Sequence, residues 1–428
     1  MKVLWFINSM LPEMTAYVKG GVFNGASVSN SWVKALLEVV GSEVELTVAM
    51  FYKGDCVKEN KFEKYYGIAI PYKGNITKYQ PRLNQSIKSV IEKVSPDVIH
   101  VHGTEYPYVY NILNLFDPNR IVISLQGLIS EISKYYLGGL SFKDILFNIT
   151  LRNIVFRDSV WGQKKEFERR GQFELLVLNL AKNVIGRTLW DKVHVKAINS
   201  GIRYYHLDEP LRNEFYDAPK WDYEKCRKNT VFVSQCTYPI KGLHILLKAI
   251  AIVKNNYSNV RLRIAGREFV KRDSFIEKLK YSGYAKFISR QIKQLGLEDC
   301  IEFTGVLGAN GMIEEYLASN VYVCPSAIEN SPNSMCEAQF LGVPSVLSFA
   351  GGIYDMTDFG DTANIYRFED AEMLAYYICQ IFDDYHREDY RTSKSIVESE
   401  KRHDKGVIVK ELMNIYNHCQ ANCFDGAI

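Results

Sequence analysis

Two carboxylates beside a predicted anion site are the residues of this chain whose types and spacing could do chemistry. Glu329 and Glu337 stand eight positions apart in the stretch VYVCPSAIENSPNSMCEAQFLGVPSVLSFAGG, Val321 to Gly352. Its punctuation predicts a helix starting near Pro332, capped by Ser331 or Asn330 and stopped by Gly342 and Pro344. At about 3.6 residues per turn, Glu337 then falls one and a half turns in, beside the helix mouth. Backbone N–H groups of Asn333, Ser334 and Met335 would point out of that mouth, and with the helix dipole they would suit an anion. A phosphate held there, hydroxyls taken by Glu337, and a sugar approached by Glu329, Gly351 and Gly352 would describe a sugar nucleotide. The same pair also reads as a solvated loop residue and an ordinary first-turn glutamate, so alone it is a weak motif.

The elements that must position these residues are a β-branched and aromatic strand, Val321 to Cys324, the helix, and a second apolar run, Val343 to Phe349, ending in the glycine pair. Strand, loop, helix, strand is one α/β unit. Its functional face lies where loops leave the carboxyl ends of the strands.

Taken whole, the stretch resembles the donor-binding signature of the family 4 glycosyltransferases, through Pro325, Ser326, Glu329, Glu337, Ala338, Gly342, Pro344, Val346, Gly351 and Gly352. That resemblance implies an α/β protein of the GT-B class, with two Rossmann-like doubly wound domains facing an interdomain cleft. It further implies a retaining enzyme that moves a hexose or hexosamine from a nucleotide diphosphate sugar to a hydroxyl of a glycan or lipid-linked glycan. A UDP-sugar is the favoured donor and a GDP-sugar the second choice, and the setting is bacterial cell-surface polysaccharide synthesis.

Length and composition agree with such a protein. At 428 residues there is chain for two or three domains, and 47% hydrophobic against 24% charged residues is a globular balance. The net charge is only +3. It is unevenly divided, with 27 basic against 20 acidic residues in 1–212 and 25 against 29 in 213–428. A basic first half suits anionic headgroups or a phosphorylated acceptor, and it equally suits a solvated face. Nine scattered cysteines without a C-x-x-C argue for a reducing compartment and against a zinc cluster. With no apolar run of about 18 to 20 residues, the expectation is a cytoplasmic protein whose membrane contact, if it has one, is peripheral at the inner surface. A nucleic-acid partner is disfavoured, because no basic recognition helix accompanies the charge.

Along the chain, Lys2 to Ile7 reads as a buried parallel strand, followed by Gly20 and Gly21 and a helix from Ala26 to Val40. Further strands are expected at Val44–Met50, at Asp97–Val101 running into His102, Thr104 and Glu105, and at Ile121–Leu125 before Gln126. The domain boundary is placed within Ser200–Lys228. This gives an N-terminal acceptor-binding domain over 1–212, a donor-binding domain over 213–395, and a helical segment over 396–428 that returns to the first domain. Second-domain strands are expected at Thr230–Ser234, Val260–Gly266 and Ile301–Gly305.

Several roles follow only from the resemblance. Lys241 matches a lysine that holds the donor diphosphate and, with Glu329 and Gln126, would make up the catalytic set. Gln126 stands where many family members carry histidine, and glutamine cannot take a proton. Ser234 and Gln235 occupy the neighbourhood of a missing donor-loop arginine, and Gln235 is assigned to the donor. Gly20, Gly21 and His102 are assigned to the acceptor side, together with Arg187 of the GRTLWD string. For Arg187 a helix-capping salt bridge is the alternative to a phosphate contact. The aromatic and basic segment 134–173 corresponds to a part of the first domain that is often an acceptor-facing or membrane-facing surface. No D-x-D signature appears, so neither metal nor cofactor is expected, and Lys241 with the helix mouth would stabilise the leaving diphosphate. A catalytically silent nucleotide-sugar-binding subunit and a sugar-nucleotide epimerase of the same fold are the competing readings.

Overall fold

A computed structural model describes residues 1–20, 31–156, 158–271 and 281–421 of the protein. By internal contacts the chain forms two compact units. One comprises Met1–Glu131, Glu168–Arg212 and Arg402–Ile428, and the other Ile132–Phe167 and Asn213–Lys401.

The first unit is built on an eight-stranded sheet. Its strands are β1 (Lys2–Ile7), β2 (Glu45–Lys53), β3 (Lys58–Lys61), β4 (Tyr66–Tyr72), β5 (Val98–His102), β6 (Ile121–Ser124), β7 (Asn183–Gly186) and β8 (Arg203–His206). They run in the order β3-β4-β2-β1-β5-β6-β7-β8, parallel except for the β3–β4 pair. In β1, every residue after Lys2 is buried, and β5 is buried throughout. Such unbroken apolar runs are what a parallel strand covered on both faces requires. Covering helices carry the complementary stripe: Leu83, Ile87, Val90 and Ile91 are the buried face of the helix Leu83–Val94. The helix Lys405–Ala421 also belongs to this unit and buries Ile408, Leu412, Ile415, Tyr416 and Cys419. Its Tyr416 hydroxyl accepts from Trp5 Nε1 at 2.8 Å and meets His100 Nδ1 at 2.7 Å.

The second unit contains a six-stranded parallel sheet. It consists of β9 (Arg227–Val233), β10 (Arg261–Ile264), β11 (Ile301–Phe303), β12 (Ser319–Cys324), β13 (Ser345–Ser348) and β14 (Asn364–Tyr366), in the order β11-β10-β9-β12-β13-β14. The order therefore reverses between β9 and β12. Strand carboxyl ends at such a reversal leave a crevice that ligands of doubly wound sheets occupy.

Three expectations are corrected here. Residues 132–167 were assigned to the first domain, but they belong to the second unit, because Tyr136, Leu140, Ile145 and Val160 are buried in its core. Between β1 and the glycine pair stands an unexpected helix, Pro12–Lys19, which Gly20 ends in the left-handed conformation at φ 70. Gly21, and the start of the helix expected from Ala26, lie outside the described residues; Ser31–Val40 is helical. The short strands β3, β4, β7, β8 and β14 had not been expected, since three to seven residues with mixed patterns give little periodicity to read. No helix among the described residues is long and apolar enough to cross a membrane.

Candidate functional site

In the second unit the reversal point collects one cation, two carboxylates and a helix N-terminus. Lys241 lies in the short 3-10 turn Pro239–Lys241 that follows β9. Gly242 then opens the helix Leu243–Asn256 at φ 70, and a Cβ on it would lie 1.7 Å from the Pro325 carbonyl oxygen, so only glycine lets the two loops approach this closely. Across that contact Lys241 Nζ donates to Glu329 Oε1. Ser326 Oγ donates to the same carboxylate oxygen at 2.7 Å, while Ser348 Oγ donates to the Ser326 carbonyl at 2.5 Å. The Glu329 carbonyl in turn accepts from Gly352 N at 3.0 Å, and a Cβ on Gly351, at φ 56, would sit 1.9 Å from that carbonyl oxygen. Thus the glycine pair holds the Glu329 loop from behind through backbone contacts.

Burial alone would lower the Lys241 pKa, but the charge and hydrogen bond of Glu329 outweigh it and hold the ammonium above its ordinary value. The same apolar surroundings push the Cys324 thiol up to about 11, and Cys236 upward as well. Lys241 is therefore a permanent cation at neutral pH. The neighbouring cysteines are not thiolates.

The helix Asn333–Leu341 points its N-terminus at this ground, with Pro332 as N-cap and no side-chain cap. Its first two N–H groups, on Asn333 and Ser334, donate to no partner among the described residues, whereas Met335 N donates to the Pro332 carbonyl at 3.0 Å. Met335 is also wholly buried, so its N–H does not join the open anion site that was expected of it. Glu337, 6% exposed, accepts from the Tyr316 hydroxyl at 3.2 Å, and that hydroxyl also meets the Ser334 carbonyl at 2.8 Å. Ser334 Oγ accepts from Tyr322 Oη at 2.7 Å and from Ser234 Oγ at 3.1 Å. Ser234 therefore reaches the helix mouth, while its neighbour Gln235 is exposed and donates through Nε2 to the Tyr238 hydroxyl at 3.5 Å. Tyr316 and Tyr322 were not singled out, and Ser234 and Ser326 were named without a partner being assigned to either. Ser326 was legible in the Pro-Ser motif, whereas nothing in the spacing of the tyrosines marks them.

In the first unit, Gln126, Arg187 and Glu209 meet at the carboxyl ends of β6, β7 and β8. Gln126 Nε2 donates to Glu209 Oε1 at 3.0 Å, and Arg187 Nη1 pairs with Glu209 Oε2 at 2.6 Å. A second guanidinium nitrogen, Nη2, reaches the Leu125 carbonyl at 3.1 Å. Burial raises the Glu209 pKa against the opposing pull of Arg187 and Gln126. Arg187 thus forms an ion pair, but with a carboxylate 22 positions on and outside any helix, and not the helix-capping salt bridge that was its alternative reading. His102 is 2% exposed, stacks on His100 with ring centroids 3.9 Å apart, and is pushed by burial down to about 3, a neutral core ring. Glu105, three residues on, is the more unusual group. Burial lifts its carboxyl to about 7, with Glu174 adding to the rise and Arg170 and Arg187 opposing it, and its buried Oε2 has no hydrogen-bond partner among the described residues. No group of His, Cys, Asp and Glu side chains that could hold a metal ion occurs among the described residues.

Two such units, each a mainly parallel sheet with its polar residues at the strand carboxyl ends, define the GT-B class of folds. Within the chain, residues 217–396 match the model of the family Glycosyl transferases group 1. A curated relative, mannosylfructose-phosphate synthase of Agrobacterium fabrum, is 24% identical over 205 residues, which are 45% of this chain and 43% of that protein. The chain's match therefore spans less than half the length of that relative. Among solved structures, sucrose-phosphate synthase from Thermosynechococcus elongatus superposes with a TM-score of 0.67 at 16% identity, covering 98% of this chain and 99% of that one. HepE of Anabaena, in complex with UDP and glucose, gives a TM-score of 0.65 at 17% identity over 97% of this chain and 98% of that one. At these identities the superpositions establish the fold.

Proposed function

We propose that this protein is a retaining, metal-independent glycosyltransferase that moves a hexose or hexosamine from a nucleotide diphosphate sugar, a UDP-sugar by preference, to a hydroxyl of a glycan or lipid-linked glycan. The observation that carries the reading is the convergence on one sheet reversal of a half-buried ammonium, two open N–H groups of a nine-residue helix, and a carboxylate one turn inside that helix. Such a constellation suits a diphosphate on the helix mouth and Lys241, with sugar hydroxyls accepted by Glu337 and Glu329. The family match over 217–396 and the UDP-glucose complex of HepE support a nucleotide-sugar donor.

In the reaction so read, the acceptor hydroxyl bonds to the anomeric carbon as the bond to the diphosphate oxygen breaks. The hydroxyl proton passes to the leaving phosphate oxygen, so that the departing diphosphate itself serves as the base. Lys241 and the helix N-terminus stabilise the charge that grows on the diphosphate. The cytoplasmic setting and a role in cell-surface polysaccharide synthesis belong to the same proposal.

Isothermal titration of the purified chain with UDP, GDP and ADP, with and without magnesium, tests it. Tight metal-independent binding of one nucleotide, weakened at least tenfold by Glu337→Ala, is expected. Binding of none of the three would refute the donor site, and binding without turnover on any acceptor would favour a silent sugar-nucleotide-binding subunit.

A further inference from the structure

One stretch of the second unit partitions its side chains in reverse. Phe142 (65% exposed), Phe147 (66%), Leu151 (80%), Ile154 (65%), Val155 (72%) and Phe156 (70%) face solvent, while Asn148 and Asn153 are 4% and 5% exposed. A polar framework fixes this inversion. Asn153 Oδ1 accepts from Thr150 N at 3.2 Å, Asn153 Nδ2 donates to Asp158 Oδ1 at 2.8 Å, and Thr150 Oγ1 donates to the Tyr281 carbonyl at 2.8 Å. Leu140, Ile145 and Val160 anchor the stretch in the core. Turning the apolar side chains inward would break those bonds and displace the buried asparagines. Monomeric soluble proteins rarely leave so many large apolar side chains exposed within fifteen residues.

The charge around them is predominantly positive. Residues 132–167 contain six basic and three acidic residues, and the neighbouring helix Gly283–Gln294 carries Lys286, Arg290 and Lys293 with no acid. Of the acids, Asp144 is committed to the capping box of Ser141, and Asp158 to Arg152 at 2.8 Å. Lys143, Arg290 and Lys293 form no ion pair among the described residues. The helix packs directly on this stretch: Lys286 Nζ donates to the Phe147 carbonyl at 3.1 Å.

We propose that this face seats on an anionic bilayer surface, its phenylalanine, leucine, isoleucine and valine side chains entering the boundary between headgroups and acyl chains while the flanking lysines and arginines meet lipid phosphates. The charge selects lipid over a second copy of the chain, because a two-fold contact would bring these cations against their own copies. This inference goes beyond the transferase reading, and vesicle binding can fail while nucleotide binding holds, or the reverse.

The test is co-sedimentation of the full chain with vesicles of phosphatidylcholine and phosphatidylglycerol in equal parts and with phosphatidylcholine alone, beside sedimentation velocity without lipid. Binding to the mixed vesicles is expected to exceed binding to the neutral ones at least several-fold and to weaken with salt. Leu151→Ser/Ile154→Ser/Phe156→Ser should lower the partition roughly tenfold or more. Lys143→Glu/Lys293→Glu should abolish the preference for anionic lipid, with both variants keeping the wild-type circular dichroism and UDP affinity. Absence of wild-type binding, or equal binding by the triple variant, would overturn the proposal. So would a lipid-free dimer that the triple variant dissociates.

Discussion

Removing the Lys241 ammonium separates what that residue does for the fold from what it would do for a donor. Lys241→Ala leaves the Glu329 carboxylate with the Ser326 hydroxyl but without its cation. Stranding one partner of a fully buried pair costs about 3–5 kcal/mol; because these side chains keep 28% and 14% of their exposure, solvent screening discounts that to roughly 2 kcal/mol. A charge-assisted contact to a diphosphate adds about 1.5–3 kcal/mol of binding, or roughly 10- to 150-fold in Kd. Urea unfolding and UDP titration read the two quantities separately. Lys241→Ala should lose both, whereas Lys241→Ala/Glu329→Gln, which neutralises the stranded carboxyl, should regain most of the stability and little of the affinity. The pH dependence has a defined sign. Because the folded pKa of Lys241 is raised, its contribution is complete below the unfolded value near 10.5 and is lost only as pH climbs through the higher folded value, so both effects should be flat from pH 6 to 9. If Lys241→Ala bound UDP as tightly as the wild type, the assignment of this cation to the diphosphate would be refuted.

Two further substitutions probe the two units independently. Gly351→Ala must place a Cβ 1.9 Å from the Glu329 carbonyl oxygen at φ 56, so the Glu329 loop has to move; a stability loss of about 2–4 kcal/mol and a weakened UDP titration are expected. A wild-type melting temperature would show that the loop gives way freely. Glu105→Gln concerns pH: a carboxyl raised to about 7 costs nothing below its ordinary 4.5 and destabilises progressively as pH rises to 7. At about 1.4 kcal/mol per unit, wild-type stability should carry a downward component of up to about 3 kcal/mol across that window which the glutamine variant lacks. Parallel stability-against-pH curves for the two proteins would contradict the burial assigned to Glu105.

What was legible in the sequence is what short-range chemistry decides. The strand Lys2–Ile7 has the bounds its apolar run indicates, because a fully covered parallel strand has no polar face. The helix after Pro332 stops at Gly342, at φ 77, because glycine enters the left-handed conformation without a Cβ penalty. Order and spacing in Pro325–Gly352 likewise pointed to the ground on which Glu329, Glu337 and the helix mouth stand.

Tertiary structure alone decided which groups those residues meet. Lys241 and Glu329 are 88 positions apart, and Gln126 and Glu209 are 83 apart; no periodicity extends that far. The direction of a single side chain in a loop decided that Ser234, and not Gln235, reaches Ser334. Local hydrogen bonding at the helix start withdrew the Met335 N–H. Residues 132–167 left the domain that their sequence position suggested because Leu140, Ile145 and Val160 are buried in the second unit's core. Composition can announce an apolar side chain, but close packing against particular neighbours determines which core receives it and which side chains remain outside.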